Sequence, residues 1–233
     1  MKTAIVTGAS SGIGFEISKK LLSLDYKVYG LGRDFSKIDF NSDNFIKVVC
    51  DLMETNKVVD IIKKIKKEND IYMLVNSAGV GYFGPHEELN PYKIRQIVEV
   101  NLEAPMILTN LLLRDLKKNK GYIINISSIT AKKWSTYGCA YAAAKAGLTH
   151  FSESLFEETR KYGVKVITIH PDIVKTHFYD KCNFREGDAE DSYITSECVA
   201  GAVENILNQR EGTIITDITI RPQRHMITKK KNN

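Results

Sequence analysis

The chain is poor in the residues that mark special environments. Four cysteines stand in 233 residues, Cys50, Cys139, Cys182 and Cys198, and none falls in a CxxC or Cys/His spacing. Neither a metal site nor a disulfide framework is therefore expected. No apolar run approaches the roughly 20 residues that span a bilayer. The opening "MKTAIVTGAS" meets glycine too soon to read as a secretion signal. The expectation is a cytoplasmic protein with reduced thiols and no membrane partner. Basic residues outnumber acidic ones 33 to 28, but they are scattered. The absence of a basic stripe with interleaved aromatics argues against nucleic acid. The lysines of "TKKKNN" at 228–233 read as a frayed, solvated terminus. Linkers, low-complexity tracts and internal repeats are also missing, so 1–233 reads as a single domain.

What is present is an alternation. Apolar, β-branched runs occur at 3–7, 27–31, 45–50, 71–76, 121–127, 164–170 and 212–220. Several are apolar at consecutive positions, as in strands covered on both faces. Between them, apolar residues recur at helical spacing over 14–24, 54–69, 91–118, 141–163 and 195–209. This pattern predicts an α/β fold: a Rossmann-like, doubly wound parallel sheet of about seven strands with helices on both faces. Only 33–44 separates the second and third strands, close to the minimum for a parallel crossover, so a full helix is not expected there. The stretch 172–194, rich in charge and aromatics, lacks periodicity and follows directly on a strand. It reads as a substrate lid.

"TGASSGIG" at 7–14 ends the first strand and opens the first helix. Glycines allow a tight turn and close approach of a ligand to the backbone. The helix N-terminus then offers free N–H groups to a pyrophosphate, which predicts dinucleotide binding. The second strand ends "LGRD". Gly32 stands where an acidic residue would hold the ribose hydroxyl of NAD(H), and Arg33 follows. An arginine there suits a 2′-phosphate, so NADP(H) is favoured over NAD(H). Asp34 comes one step late and reads as a cap or turn residue.

"YAAAK" at 141–145 places Tyr141 and Lys145 on one face of a helix of small residues. A phenol titrates near about 10, and a nearby cation favours its anion. The pair reads as a proton donor and its tuner.

Together these stretches resemble the short-chain dehydrogenase/reductase family in its compact single-domain form. The motifs stand in the family's order over almost the whole chain: "TGASSGIG" at 7–14, "DL" at 51–52, "NSAG" at 76–79, "VNL" at 100–102, "NISS" at 125–128 and "YAAAK" at 141–145. The resemblance implies a catalytic set. Tyr141 is the general acid for carbonyl reduction. Lys145 lowers its pKa and binds the nicotinamide ribose. Ser128, rather than its rival Ser127, bonds the substrate oxygen. Asn101 holds a water in a proton relay. It also implies a cofactor set, in which Gly8, Ser10, Ser11, Gly12, Ile13 and Gly14 form the phosphate loop. Arg33, Asp51, Leu52, Asn76, Ala78 and Gly79 lie along the adenosine side, and Pro171, Ile173 and Thr176 along the nicotinamide side. The implied partner is a small carbonyl or alcohol, such as a 3-oxoacyl thioester, a 3-hydroxy acid or a small xenobiotic carbonyl. A homodimer or homotetramer through 91–118 and 141–161 is also implied.

Two departures stand out. Ser77 replaces the second Asn of the family's usual "NNAG", and Asp172 follows Pro171 where the family usually has Gly. Around the expected pocket, Lys132, Lys133, Lys175, His177, Lys181 and Arg185 hint at an acidic substrate, while Asp180, Glu186, Asp188, Glu190 and Asp191 weigh against it. Trp134 is expected to border the pocket, Tyr137 to be a pocket or surface aromatic, and His86 to be a plain loop residue. His150 and His170 read as packed or capping. Two rival readings remain: an NADP(H)-sensing regulator without catalysis, and a nucleotide-sugar epimerase or dehydratase. The first has no need of all four catalytic residues. The second usually needs a larger C-terminal domain than the about 60 residues that follow the sixth strand.

Overall fold

The computed structural model describes residues 1–180 and 182–230. Lys181 and the tail residues 231–233 lie outside the described residues. Side chains alternate between the two faces of a strand, and the inner strands are apolar on both. In β1 (Lys2–Thr7), Ala4 and Val6 join one buried cluster and Ile5 joins another. The first cluster is closed by Ile17 and Leu21 of α1 (Gly12–Ser23) and by Val199 and Val203 of α6 (Ser196–Leu207). The second is closed by Ile62 of α2 (Thr55–Glu68), Leu108 and Leu112 of α4 (Ala104–Asn119) and Leu155 of α5 (Cys139–Thr159).

Seven strands pair in parallel in the order β3-β2-β1-β4-β5-β6-β8. Beside β1 these are β2 (Tyr26–Gly32), β3 (Phe45–Val49), β4 (Ile71–Asn76), β5 (Tyr122–Ile126), β6 (Lys165–Pro171) and β8 (Asp217–Ile220). The order turns back between β1 and β4. The carboxyl ends of strands diverge at such a switch point and leave a crevice for a ligand. Between β2 and β3 there is no helix, as the short connection predicts.

Three expectations need correction. The stretch 91–118 is not one α-helix. Asn90 caps α3 (Pro91–Val98) by accepting from Lys93 N at 2.9 Å, and a π-helical turn, Glu99–Glu103, separates α3 from α4. Pro105 has no N–H to give the carbonyl four residues back, that of Asn101, which favours a widened turn. The last strand is shorter than 212–220, because the ladder to β6 runs only from Asp217 to Ile220. Most consequentially, the tail is not frayed over its described part. Residues Ile227–Lys229 form β9, antiparallel to β7 (Phe184–Glu186) of the lid. Lys230 Nζ donates to the carbonyls of Tyr179 and Asp180 at 2.6 and 3.0 Å.

Candidate active site

The glycine loop is held by backbone proximity. Gly8 has φ +66°, and a Cβ there would lie 2.8 Å from Ala78 Cα, so the loops after β1 and β4 touch backbone to backbone. Thr7 fixes the same contact, its hydroxyl accepting from Ser77 N and Ala78 N at 3.0 Å each. A Cβ on Gly14 would collide with the Gly8 carbonyl, which keeps the first turn of α1 against the loop. Ser11 is the exposed N-cap of α1 and makes no side-chain capping bond. Ser10 is half-buried with its side chain beside Gly32, and Ile13 packs on the first core. Thr176 lies across the crevice, its methyl within 3.2 Å of a Cβ built on Gly12.

Arg33 is exposed and lines a cavity of about 330 Å³ with Cys50, Asp51, Glu54 and Lys57. Asp51 is half-buried and accepts from Met53 N at 3.0 Å, while Leu52 packs on the second core. Asp34 is the turn residue expected, its carboxylate accepting from Ser36 N and Ser36 Oγ at 2.8 and 3.0 Å. These bonds hold its pKa below the ordinary aspartate value. Asn76 turns inward rather than toward the crevice. It is buried and donates to Asn125 Oδ1 at 2.7 Å, and Asn125 in turn donates to Ser152 Oγ.

Tyr141, Lys145, Ser128 and Asn101 converge above β4 and β5, and all four are buried. Lys145 Nζ donates to Ile126 O at 2.8 Å and lies 3.7 Å from a Cβ built on Gly79. Asn101 Nδ2 donates to Val80 O and Ile97 O at 2.8 and 2.9 Å. Its buried Oδ1 has no partner among the described residues. The two serines differ in their contacts. Ser127 Oγ donates to Lys145 O at 3.1 Å and packs on α5, whereas Ser128 Oγ accepts from Thr130 N and Thr130 Oγ1. His170 is buried, with Nδ1 3.2 Å from the Ser128 carbonyl and Nε2 2.8 Å from Asp217 Oδ2. Burial is the main cause holding its pKa down.

Electrostatics departs from expectation. Burial pushes the Tyr141 phenol up, and only its hydrogen bond with Ser128 pulls it down. Burial also pushes Lys145 down to about 7. Desolvation penalises whichever form is charged, and here it governs both groups.

The lid opens at Asp172, whose side chain is 2% exposed. Its carboxylate lies 3.2 Å from Arg221 Nε and 3.2 Å from His225 Nδ1, and it accepts from Ile173 N at 3.0 Å. Pro171 and Ile173 are buried beside it. Of the described cations that hinted at an acidic substrate, Lys132 turns to Asp217 and Thr219, His177 to Asp180, Arg185 to Asp188, and Lys175 lies over the Tyr193 ring, while Lys133 is exposed. Trp134 is 90% exposed, so it does not border a closed pocket, and Tyr137 is exposed as well. His86 sits in an exposed turn, as read. His150 is neither packed nor capping. It is exposed on α5, 3.6 Å from Glu153. Sequence reasoning missed Thr7 and the aromatic group formed by Phe83, Phe178, Tyr179 and Phe184 around Tyr141. The aromatic content of the lid and of "GYFGP" at 81–85 was the available signal.

A family model described as short chain dehydrogenase matches residues 2–186. A probable short-chain type dehydrogenase/reductase, VdlC, of Helicobacter pylori (strain J99 / ATCC 700824) is 33% identical over 218 residues, covering 89% of this chain and 80% of the relative. A metagenomic short-chain oxidoreductase solved in complex with NADP is 29% identical with a TM-score of 0.79, over 95% of this chain and 97% of that one. An alcohol dehydrogenase from the archaeon Thermococcus sibiricus, complexed with 5-hydroxy-NADP, superimposes with a TM-score of 0.87 at 23% identity, over 97% and 98% of the two chains, a likeness of fold.

Proposed function

Since this chain belongs to the short chain dehydrogenase family, we propose that it is an NADP(H)-dependent oxidoreductase interconverting a carbonyl and a secondary or primary alcohol, with Tyr141 as general acid and base. The observation that carries this reading is the convergence of Tyr141, Lys145, Ser128 and Asn101, all buried, beside the glycine loop. The residues present fit a nicotinamide dinucleotide. Gly12, at φ +51°, has no Cβ to narrow the crevice toward the Thr176 methyl, which a Cβ there would approach to 3.2 Å, and Asn101 Oδ1 is a buried acceptor beside Gly79. In this reading the Ser11–Ile13 turn at the start of α1 takes the pyrophosphate. Arg33 takes the 2′-phosphate, a charge-assisted contact that an uncharged ribose cannot offer. Asp51, Ala78 and Gly79 border the adenosine, and Ile173 and Thr176 the nicotinamide.

When bound, the nicotinamide supplies or accepts the hydride. The chain's own residues handle the proton. Negative charge gathers on the carbonyl oxygen during reduction and needs a positioned donor. Tyr141 gives its hydroxyl proton to that oxygen, and the Ser128 hydroxyl bonds the same atom. Lys145, poised at about 7, takes and returns a proton near neutrality. Asn101, fixed by two backbone carbonyls, orients the water that relays it. A cytoplasmic homo-oligomer belongs to the same reading, with the exposed Val98 and Met106 of α3 and α4 on the face it would cover.

The test is cofactor oxidation across ketones, aldehydes and 3-oxo esters, with NADPH and NADH in parallel. Tyr141→Phe is expected to lower turnover by about 10³-fold or more while NADPH binding changes little. Retained turnover in that variant refutes the assignment. Arg33→Ala is expected to weaken NADPH by about tenfold or more and NADH hardly at all; equal losses refute the 2′-phosphate contact.

A further inference from the structure

The aromatic side chains around Tyr141 close a circuit. Tyr141 to Phe83 is 5.5 Å between ring centroids, Phe83 to Phe184 5.3 Å, Phe184 to Tyr179 5.3 Å, Tyr179 to Phe178 5.1 Å, and Phe178 back to Tyr141 5.8 Å. Every pair is tilted or edge-on, with interplanar angles from 49° to 84°. These are the separations and angles at which ring edges meet ring faces. Phe178, Tyr179 and Phe184 come from the lid, Phe83 from the loop after β4, and Tyr141 from α5. Gly81 makes the closure possible, because a Cβ there would lie 2.7 Å from both the Phe178 and Phe83 rings.

Among the described residues, several cations near this circuit are already engaged. Arg221 pairs with Asp172, His177 with Asp180, Arg185 with Asp188, and the Lys230 ammonium with two lid carbonyls. Burial is the largest cause that raises the Tyr179 phenol, with Tyr141, Cys182, Asp172 and Glu186 adding in that order. A carboxylate entering between the rings would lose its hydration and would find the nearby cations of the described residues already engaged. A flat, neutral ring would replace one edge-to-face contact by another.

We infer that the preferred substrate of this chain is an uncharged, flat carbonyl compound, an aromatic ketone or aldehyde before an oxo acid, selected by Phe83, Phe178, Tyr179 and Phe184. The inference rests on the reading of Tyr141 as proton donor, and it makes these four side chains determinants of specificity.

The experiment uses two ketones of matched shape, acetophenone and 4-acetylbenzoate. Calorimetry measures their binding to the full chain saturated with NADP+, and NADPH oxidation measures their reduction. Acetophenone is expected to bind about tenfold more tightly and to show about tenfold higher kcat/KM. In Phe184→Ala the ratio is expected to fall below about threefold with NADPH affinity unchanged. Phe83→Leu, which keeps most of the volume, repeats the test should Phe184→Ala fail to fold by circular dichroism. Equal or tighter binding of 4-acetylbenzoate overturns the inference, and so does an unchanged ratio in a folded variant. If neither aromatic ketone binds or reacts, yet aliphatic carbonyls are reduced and Tyr141→Phe abolishes that reduction, the aromatic preference falls and the oxidoreductase reading stands. If NADPH binds and no carbonyl is reduced at all, both fall.

Discussion

The glycine loop and the lid both sit at the carboxyl edge of the same sheet, and they are built by opposite means. The glycine loop is held by main chain against main chain: Gly8 touches Ala78, and Thr7 bonds two successive amides of the neighbouring loop. The lid is held by side chains and by another segment of chain. It is pinned at its root by Asp172 to Arg221 and His225, in its middle by β7 against β9, and near its end by Asp191 to Arg224. A loop made of backbone contacts has little freedom to accept substitution. A loop strapped by charges at its rim tolerates substitution but is coupled to whatever the strap does.

The sharpest way to break this comparison is on the glycine side. Gly8→Val places a β-branched side chain at positive φ and against Ala78 Cα. Both effects are unfavourable, on the order of 3 kcal/mol together. Loss of most NADPH affinity and a clear fall in the melting temperature are expected, by fluorescence titration and circular dichroism. A normal melt with normal NADPH affinity would show that the two loops are not locked together as described.

The buried charge of the cofactor side comes next. Lys145 is lowered to about 7 in the folded chain, against about 10.4 when unfolded. Between those values the unfolded state holds a proton that the folded state lacks. Stability from this group therefore rises with pH across that window, by up to about 1.4 kcal/mol per unit, and is flat below it. Lys145→Met removes the titration. The urea stability of the parent minus that of the variant is expected to rise as pH goes from 7.5 to 9.5. A pH-independent difference would mean that Lys145 keeps its ordinary pKa.

Much of this asymmetry was also an asymmetry of legibility. "TGASSGIG" and "NSAG" could be read because a loop that needs small residues and a free helix N-terminus writes that need into contiguous sequence. Tyr141 and Lys145 could be read because helical spacing is local. The seven parallel strands followed from strand–helix alternation. What was not legible depends on partners far apart in the chain. Residues 227–230 look like a solvated tail until Phe184–Glu186 is placed beside them. The pKa of Tyr141 was expected to fall because its lysine is four residues away. It rises because Phe83 and Phe178, distant in sequence, help keep it from water. The π turn at Glu99–Glu103 was hidden because its residues look like ordinary helix formers around one Pro105.

On the lid side the root is expected to matter more than the rim. Asp172→Ala removes two charged contacts and the bond to Ile173 N, at about 1–3 kcal/mol. Because Arg221 and His225 reach water, the fold should survive. Faster proteolysis within 172–194 and a raised KM for the carbonyl substrate are expected, with NADPH affinity changed less than either. An equal loss of NADPH affinity would show that Asp172 serves the cofactor rather than the strap.

The smallest expected effect is the most selective. Arg224 meets Asp191 through two bonds, at 2.6 and 2.7 Å, and its amide donates to the Asp191 carbonyl at 2.9 Å. Both side chains are largely exposed. Exposed pairs contribute little to global stability even when bidentate, so Arg224→Ala is expected to leave the melting temperature unchanged. The main-chain bond and the β7–β9 ladder remain, yet the turn around Asp191 loses its anchor. Hydrogen exchange should therefore quicken locally, at Ser192 and Gly187, whose amides donate to Ala189 and Met226, while the amides of Ser77 and Ala78 held by Thr7 stay protected. Equal quickening on both sides would mean that the lid and the glycine loop open as one unit, and the contrast between a backbone-built and a strapped loop would dissolve. No quickening at all would reduce the Arg224 pair to a surface contact, with the turn around Asp191 held by its main-chain bonds alone.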